Sequence, residues 1–400
     1  MLALTQFTVI LDFMVMSPLG DMLMKSMKIT PDHFGIVVAA YAFSAGISGL
    51  LTAGFADKFD RKKLLIFFYG GFILGTLACG LATTYPMLVA ARIITGLFGG
   101  VIGSVSMAII TDIFPLEMRG RVMGYMQMGF GASQVLGIPI SLYIANHWGW
   151  ESPFFMVVIL AAAIMALVVF RLPSVTAHLA LQQDRGVVEH LLHTVKKKNY
   201  RIAFMATALL SVGGFMMMPF GSAFAINNLH VTKEQLPLLF TFSGCMSLLV
   251  MPMIGKIADK VDKFALYSVA SLYLMIVVVV YTNLAPHPLW MIILINMLML
   301  AGILCRMVPA TALISAVPEM QDRGAFMSIN ASLQQIAGGL AAVLSGQIVT
   351  QKDSFSPLQH YDTVGWVVVA FSMLSILLLG RVSKVIKAKT AATKATAFSA

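Results

Sequence analysis

Ala53-Gly54-Phe55-Ala56-Asp57-Lys58-Phe59-Asp60-Arg61-Lys62-Lys63 is a dense patch of charge between two long apolar runs. It returns 202 residues later as Gly255-Lys256-Ile257-Ala258-Asp259-Lys260-Val261-Asp262-Lys263. The shared core, Ala-Asp-Lys-x-Asp-(Arg/Lys), ends one apolar run and opens another in both copies. Three further anchors keep nearly the same offset. Pro18-Leu19-Gly20 matches Pro219-Phe220-Gly221, and the cap at Thr30-Pro31-Asp32 matches the capping box Thr232-Lys233-Glu234-Gln235. Arg119-Gly120 matches Arg323-Gly324. A duplication of this period in so apolar a chain points to two homologous membrane bundles.

Composition agrees. Of 400 residues, 59% are hydrophobic and only 11% charged, with a mean hydropathy of +0.87. Soluble domains carry about a quarter charged residues. A spanning helix takes about 20 apolar residues. Twelve such stretches are predicted near 4–24, 33–55, 63–83, 86–110, 121–145, 153–172, 202–226, 236–257, 264–284, 288–314, 324–349 and 362–382. The first lacks a charged leader and cleavage site, so it is expected to be retained. The fold expected is an all-α membrane protein: twelve transmembrane helices in two pseudo-symmetric six-helix bundles. The organisation expected is a bundle over 1–172, a linker over 173–201, a bundle over 202–383 and a tail over 384–400. Six spans per half give both halves one orientation.

The net charge of +10 invites a nucleic-acid reading, but its distribution argues for topology instead. With the termini taken as cytoplasmic, only Lys25, Lys28, Lys233 and Lys352 fall in outer loops, and Arg92 and Arg306 lie inside spans. The other 21 of the 27 Lys and Arg residues lie in inner loops and tails. The positive-inside rule therefore predicts both termini in the cytoplasm. The linker carries Lys196-Lys197-Lys198 and a partly amphipathic Val187-Val188…Leu191-Leu192 pattern, which predicts a short helix at the inner surface. It is read either as a lipid contact or as a solvated connection. The Ala/Lys/Thr-rich tail is expected to be disordered.

No nucleophile triad, phosphate loop or metal-ligand spacing is present. The Gly-rich run Gly99-Gly100-Val101-Ile102-Gly103 lies inside a span rather than at a strand-to-helix turn. The three cysteines fall in three different spans. An enzyme is not expected, nor a metal, a cofactor or a nucleic-acid partner.

The charged stretch resembles the Gly-x-Leu-Ala-Asp-Arg-x-Gly-Arg-(Arg/Lys) loop of the major facilitator superfamily. The resemblance covers almost the whole chain and is strongest to twelve-span drug:proton antiporters and sugar-efflux proteins. Its Asp falls on Asp57 and its basic residues on Lys58, Arg61 and Lys62. Ala53 and Asp60 replace its two glycines, and Asp262 repeats the second replacement. The resemblance implies a cytoplasmic gate in which Arg61 pairs with Asp112, and a weaker copy built from Asp259 and Lys263, with Glu319 as a candidate partner. Arg92-Ile93-Ile94-Thr95-Gly96-Leu97-Phe98-Gly99-Gly100 resembles the Arg-x-x-x-Gly-x-x-x-Gly motif linked to proton coupling. Gly96 and Gly100 offer a face on which another helix can approach closely.

Asp12 is the one carboxylate deep in a predicted span and the candidate protonation site, with Arg92 as its coupling partner. Straight-helix counting puts Asp12 slightly inside the midplane and Arg92 toward the outside. A relay is expected between them rather than direct contact. An intramembrane Arg costs about 3 kcal/mol or more and must face a cavity or a partner. In the second half Asn296 takes the place of Arg92 and Gly213 or Gly214 that of Asp12, so proton handling is expected in the first half alone. The candidate cavity lining is Gln127, Gln134, Asn227, Asn296, Arg306, Asn330 and Gln334. Arg306 either binds an anionic or polar substrate group or snorkels to the interface. The uncharged residues line the cavity or join helices. The 29 Met residues either make that cavity adaptable or simply pack.

The function this implies is a monomeric secondary transporter of a bacterial inner membrane, exporting a small organic solute, including drugs, against inward protons. A proton-driven importer or a facilitator of the same fold is the alternative, and a non-transporting receptor or scaffold the rival from another class.

Overall fold

A computed structural model describes residues 1–52, 58–114, 116–176, 187–319, 322–353 and 355–398. The first half opens with α1 (Leu2–Val15) and α2 (Gly20–Met27), which meet at a bend of 58°. Pro18 sits in the break, where its missing N–H and its ring cannot continue a helix. Then come α3 (Pro31–Thr52), α4 (Arg61–Gly80) and α5 (Tyr85–Ile113). The fifth span is α6 (Leu116–Ala132), a π-helical turn (Ser133–Gly137) and α7 (Ile138–Trp148); the sixth is α8 (Ser152–Arg171). The linker holds α9 (Val187–Lys196).

The second half repeats the plan. Its first span is again broken, into α10 (Lys198–Phe215) and α11 (Gly221–Asn227), with Pro219 between them. It continues through α12 (Leu236–Lys260), α13 (Lys263–Thr282), α14 (Leu289–Ser315), α15 (Arg323–Ile348) and α16 (Tyr361–Phe398). Nine described helices are long and apolar enough to cross a bilayer, and the bent α1–α2 pair makes a tenth. The broken pair α10–α11 and α15 occupy the positions of the two remaining expected spans. Ser328, Asn330, Ser332, Gln334 and Gln335 make α15 more polar than its neighbours. The tail differs from expectation: α16 runs on through Phe398, because Ala and Lys are good helix formers and the span supplies the nucleus.

Apolar burial divides by depth. Beside the termini, each half has its own core: Leu65, Phe72, Ile102 and Val168 in the first, and Tyr200, Tyr267, Leu313 and Phe326 in the second. At the far end one core runs through both halves, joining Val15, Phe34 and Leu88 to Phe220, Tyr281 and Val364. Lipid-facing positions such as Phe67, Leu74, Ile159, Leu249 and Ile276 stay exposed, as a hydrocarbon surround permits.

Two seams join the halves. On α3, a Cβ at Gly35 would lie 2.6 Å from Ala342 O, and one at Gly46 2.8 Å from Ser332 O, so α15 packs there backbone to backbone. On α12, a Cβ at Gly244 would lie 2.9 Å from Gln134 O, which brings the π-turn against the second half.

Candidate functional site

Both Asp residues that replace glycine in the repeated loop are helix N-caps. Asp60 accepts from Lys62 N (2.9 Å) at the start of α4, and also from Ser174 Oγ (2.6 Å) and Val175 N (3.1 Å) beyond α8. Burial works against its charge. The hydrogen bonds from Ser174, Val175 and Lys62, with Lys63 nearby, outweigh that and hold the carboxyl below its usual range. Asp262 caps α13 through Ala265 N (2.9 Å) and pairs with Lys387 Nζ at 2.7 Å, which holds its carboxyl low. In each half, the cap of the third span is thus also tied to the segment leaving the sixth.

Arg61, nearly buried, meets Asp112 with Nε to Oδ2 at 3.2 Å. Lys62 Nζ donates to Val169 O (2.9 Å), and Lys58 is exposed. Asp57 lies outside the described residues. The second-half copy is built differently from the sequence expectation. Asp259 and Lys263 form no ion pair among the described residues. Instead Lys197 Nζ lies 2.5 Å from Asp322 Oδ2 and 3.5 Å from Glu319 Oε2, and Tyr200 OH donates to Asp322 Oδ2 (2.8 Å). The reason is placement. Asp259 sits on an exposed face of the last turn of α12, whereas Lys197, at the start of α10, reaches the α14–α15 turn.

Asp12 and Arg92 touch, contrary to the relay expected. Arg92 Nη1 donates to Asp12 Oδ2 at 2.8 Å, with side chains 1% and 0% exposed. The bend accounts for it: at 58°, the axial climb of the eight-residue α2 falls from about 12 Å to about 6 Å, lifting Asp12 toward the level of Arg92. Thr76 Oγ1 donates to Asp12 Oδ1 (3.2 Å), and the Tyr41 ring lies 4.5 Å from the guanidinium. Arg92 Nε has no partner among the described residues. Gly96 and Gly100 are what let α3 in: a Cβ at Gly100 would lie 2.5 Å from Ala45 O, and one at Gly96 would collide with Tyr41 O.

Between the halves lies a cavity of about 480 Å³, within the range that holds small organic ligands. It extends from the shared core toward the termini, past Gln6, Gly103 and Met307. Tyr41 lines it and stands between it and the Asp12–Arg92 pair, neither member of which reaches the wall. Of the sequence candidates, Gln134, Asn296, Arg306 and Gln334 line it. Asn296 Oδ1 accepts from Ser243 Oγ (2.6 Å). Asn330 instead accepts from Thr207 Oγ1 (2.6 Å), joining α15 to α10. The side chain of Gln127 lies outside the described residues.

Asn227 is also displaced from the cavity. It sits at the far end, donating Nδ2 to Asp21 Oδ1 (2.7 Å) and accepting from Lys25 Nζ (3.0 Å). Lys25 pairs with Asp21 at 2.8 Å. Ser17 Oγ donates to Met218 O, and Ser222 Oγ to Ser17 O (2.7 Å). The bent halves of spans one and seven bring these groups together. Reading 4–24 and 202–226 as straight helices hid the cluster. Tyr41 was hidden too: the sequence marks no tyrosine in a polar-poor span as a screen. Among the described residues no three His, Cys, Asp or Glu side chains converge as a metal site would require.

A family model described as Major Facilitator Superfamily matches residues 2–342 and 203–399. An uncharacterized MFS-type transporter of Bacillus subtilis, YbcL, is 23% identical over 94% of each chain. A probable sugar efflux transporter of Mannheimia succiniciproducens is 24% identical over 66% of each. Among solved structures, a D-xylose–proton symporter superposes with a TM-score of 0.77 at 17% identity, covering 94% of this chain and 95% of its own.

Proposed function

We propose that this chain, which belongs to the Major Facilitator Superfamily, exports a small organic solute in exchange for inward protons. The observation that carries the coupling is the buried Asp12–Arg92 pair behind Tyr41. An ionised pair at that depth holds together only while both members are charged, since removing one partner's charge strands the other in a low-dielectric interior. A proton delivered to Asp12 releases Arg92, which keeps only the Tyr41 face at 4.5 Å. Proton occupancy is thereby linked to how α1, α3 and α5 pack around the cavity. The name of the efflux relative supports the outward direction.

The distribution of basic residues supports termini in the cytoplasm and an inner-membrane location. On that orientation the structure is the inward-facing member of an alternating-access cycle. The described hydrogen bonds between halves gather around Ser17, Asp21, Lys25 and Asn146 at the outer end. The inner cores are distinct, so the halves rock about the α3–α15 seam, with the outer cluster opening as the inner loops close. The Arg61–Asp112 pair braces the inner ends of α4 and α5 in that motion. The bundle and linker boundaries at 172, 201 and 383 and a monomeric unit belong to the same reading.

The test is flux in proteoliposomes under an imposed pH gradient. Asp12→Asn is expected to abolish gradient-driven accumulation while exchange down the solute's own gradient continues. Full gradient-driven flux in Asp12→Asn removes the coupling role.

A further inference from the structure

We propose that the solute carried by this cavity is an amphipathic organic anion, its acidic headgroup received by Arg306 and its apolar body by the surrounding wall. The assignment rests on reading the cavity as the transport site. Arg306 is 2% exposed yet has no carboxylate partner among the described residues. Its one described hydrogen bond runs from Nη1 to Ser372 Oγ at 2.8 Å. A guanidinium has five N–H donors, so most of its capacity is unspent. By contrast the other intramembrane arginine, Arg92, is neutralised by Asp12.

Charge and shape both point one way. Among the described residues lining the cavity, Arg306 is the only charged one, so the chamber carries a single uncompensated positive charge. Such a charge repels cationic solutes and draws an anion, most strongly through a forked carboxylate, phosphate or sulfonate contact. Gly213 and Gly214 leave the approach open: a Cβ at either would lie 3.8 or 3.9 Å from Nη2, with only ordinary contacts around it. Most of the remaining wall is aliphatic or aromatic, with Phe13, Phe215 and Phe240 among its rings. Gln134, on the π-turn, also lines the wall, with Oε1 buried and unpartnered among the described residues.

Four probes that share a naphthalene body separate the possibilities: 2-naphthoate, naphthalene-2-sulfonate, the neutral 2-naphthamide and the cationic 2-naphthylmethylammonium. Binding is measured calorimetrically on the purified protein in a nonionic detergent, and flux in proteoliposomes. The two anions are expected to bind about 10- to 100-fold more tightly than the amide, and the ammonium more weakly still. Arg306→Gln should remove that preference while amide binding stays within about twofold, and Arg306→Lys should restore part of it. If Arg306→Gln does not fold, Gly214→Leu keeps the charge but fills the space before Nη2, and should weaken the anions selectively. Equal binding of amide and anions, or anion affinity unchanged in the variant obtained, overturns the assignment. Flux of the amide or ammonium but not the anions also overturns it, with transport intact. Arg306-dependent anion binding without flux of any probe would leave the headgroup site standing and remove the transport reading.

Discussion

The Asp12–Arg92 pair makes a quantitative stability prediction. Both side chains are shut away from solvent, and their polar atoms meet at 2.8 Å. Removing one partner of a buried pair costs about 3–5 kcal/mol, because the remaining charge keeps its desolvation penalty. Asp12→Asn belongs at the low end. Its amide oxygen can still accept from Arg92 or from Thr76, so only the charge is lost. About 3 kcal/mol in a chain this long corresponds to a fall in Tm of about 4 °C. Arg92→Gln should cost a similar amount. The double variant, with an amide facing an amide, strands no charge and should lie within about 1–2 kcal/mol of the parent. The assay is thermal unfolding in detergent, followed by tryptophan fluorescence across the four-protein cycle. A double variant as destabilised as the sum of the two singles would refute the claim that the pair acts as one unit.

Asp60→Gly restores the residue of the family loop and weakens the α4 cap by only a few tenths of a kcal/mol, but it removes the ties to Ser174 and Val175, so a loss of about 1–2 kcal/mol is expected in the same melt. The carboxyl is held below its usual range, so its contribution is present above about pH 4 and is lost as pH falls through the folded value. Asp60→Ser should keep part of the cap but lose that pH dependence, seen as a flatter Tm–pH profile. At the outer end, Asp21→Asn takes the negative partner from Lys25 and weakens the link to Asn227. It should raise the rate at which an Ala223→Cys reporter is labelled by an impermeant thiol reagent from outside, and an unchanged rate would mean the cluster does not hold that end shut. Gly35→Val, placing a Cβ 2.6 Å from Ala342 O, should force α3 off α15 and cost about 3 kcal/mol or more, measured as lost folded yield.

The architecture was legible in the sequence because duplication and hydropathy are written along the chain. The matched Ala-Asp-Lys-x-Asp segments, the Pro-x-Gly pairs and the Arg-Gly turns named two like halves before any distance was known. Gly96 and Gly100 announced a close helix approach, and α3 makes it. Arg61 and Asp112 were matched through family resemblance, and their side chains meet. Asp60 and Asp262 looked like departures from the loop pattern. Their capping role needed the backbone of the next helix and, for each, a group from a remote segment.

Sequence by itself therefore determined that the chain is built of apolar helices, that they come in two matched sets, and which rare charges lie within them. Burial in hydrocarbon leaves those features no other consistent reading. Tertiary structure alone decided who meets whom. The 58° bend of the first span brings Asp12 level with Arg92, the break at Pro219 sets Asn227 beside Asp21 and Lys25, and packing of the halves puts Arg306 on the cavity wall. Such encounters depend on bends of a few residues and on side-chain reach across 50 to 200 positions, and linear spacing encodes neither.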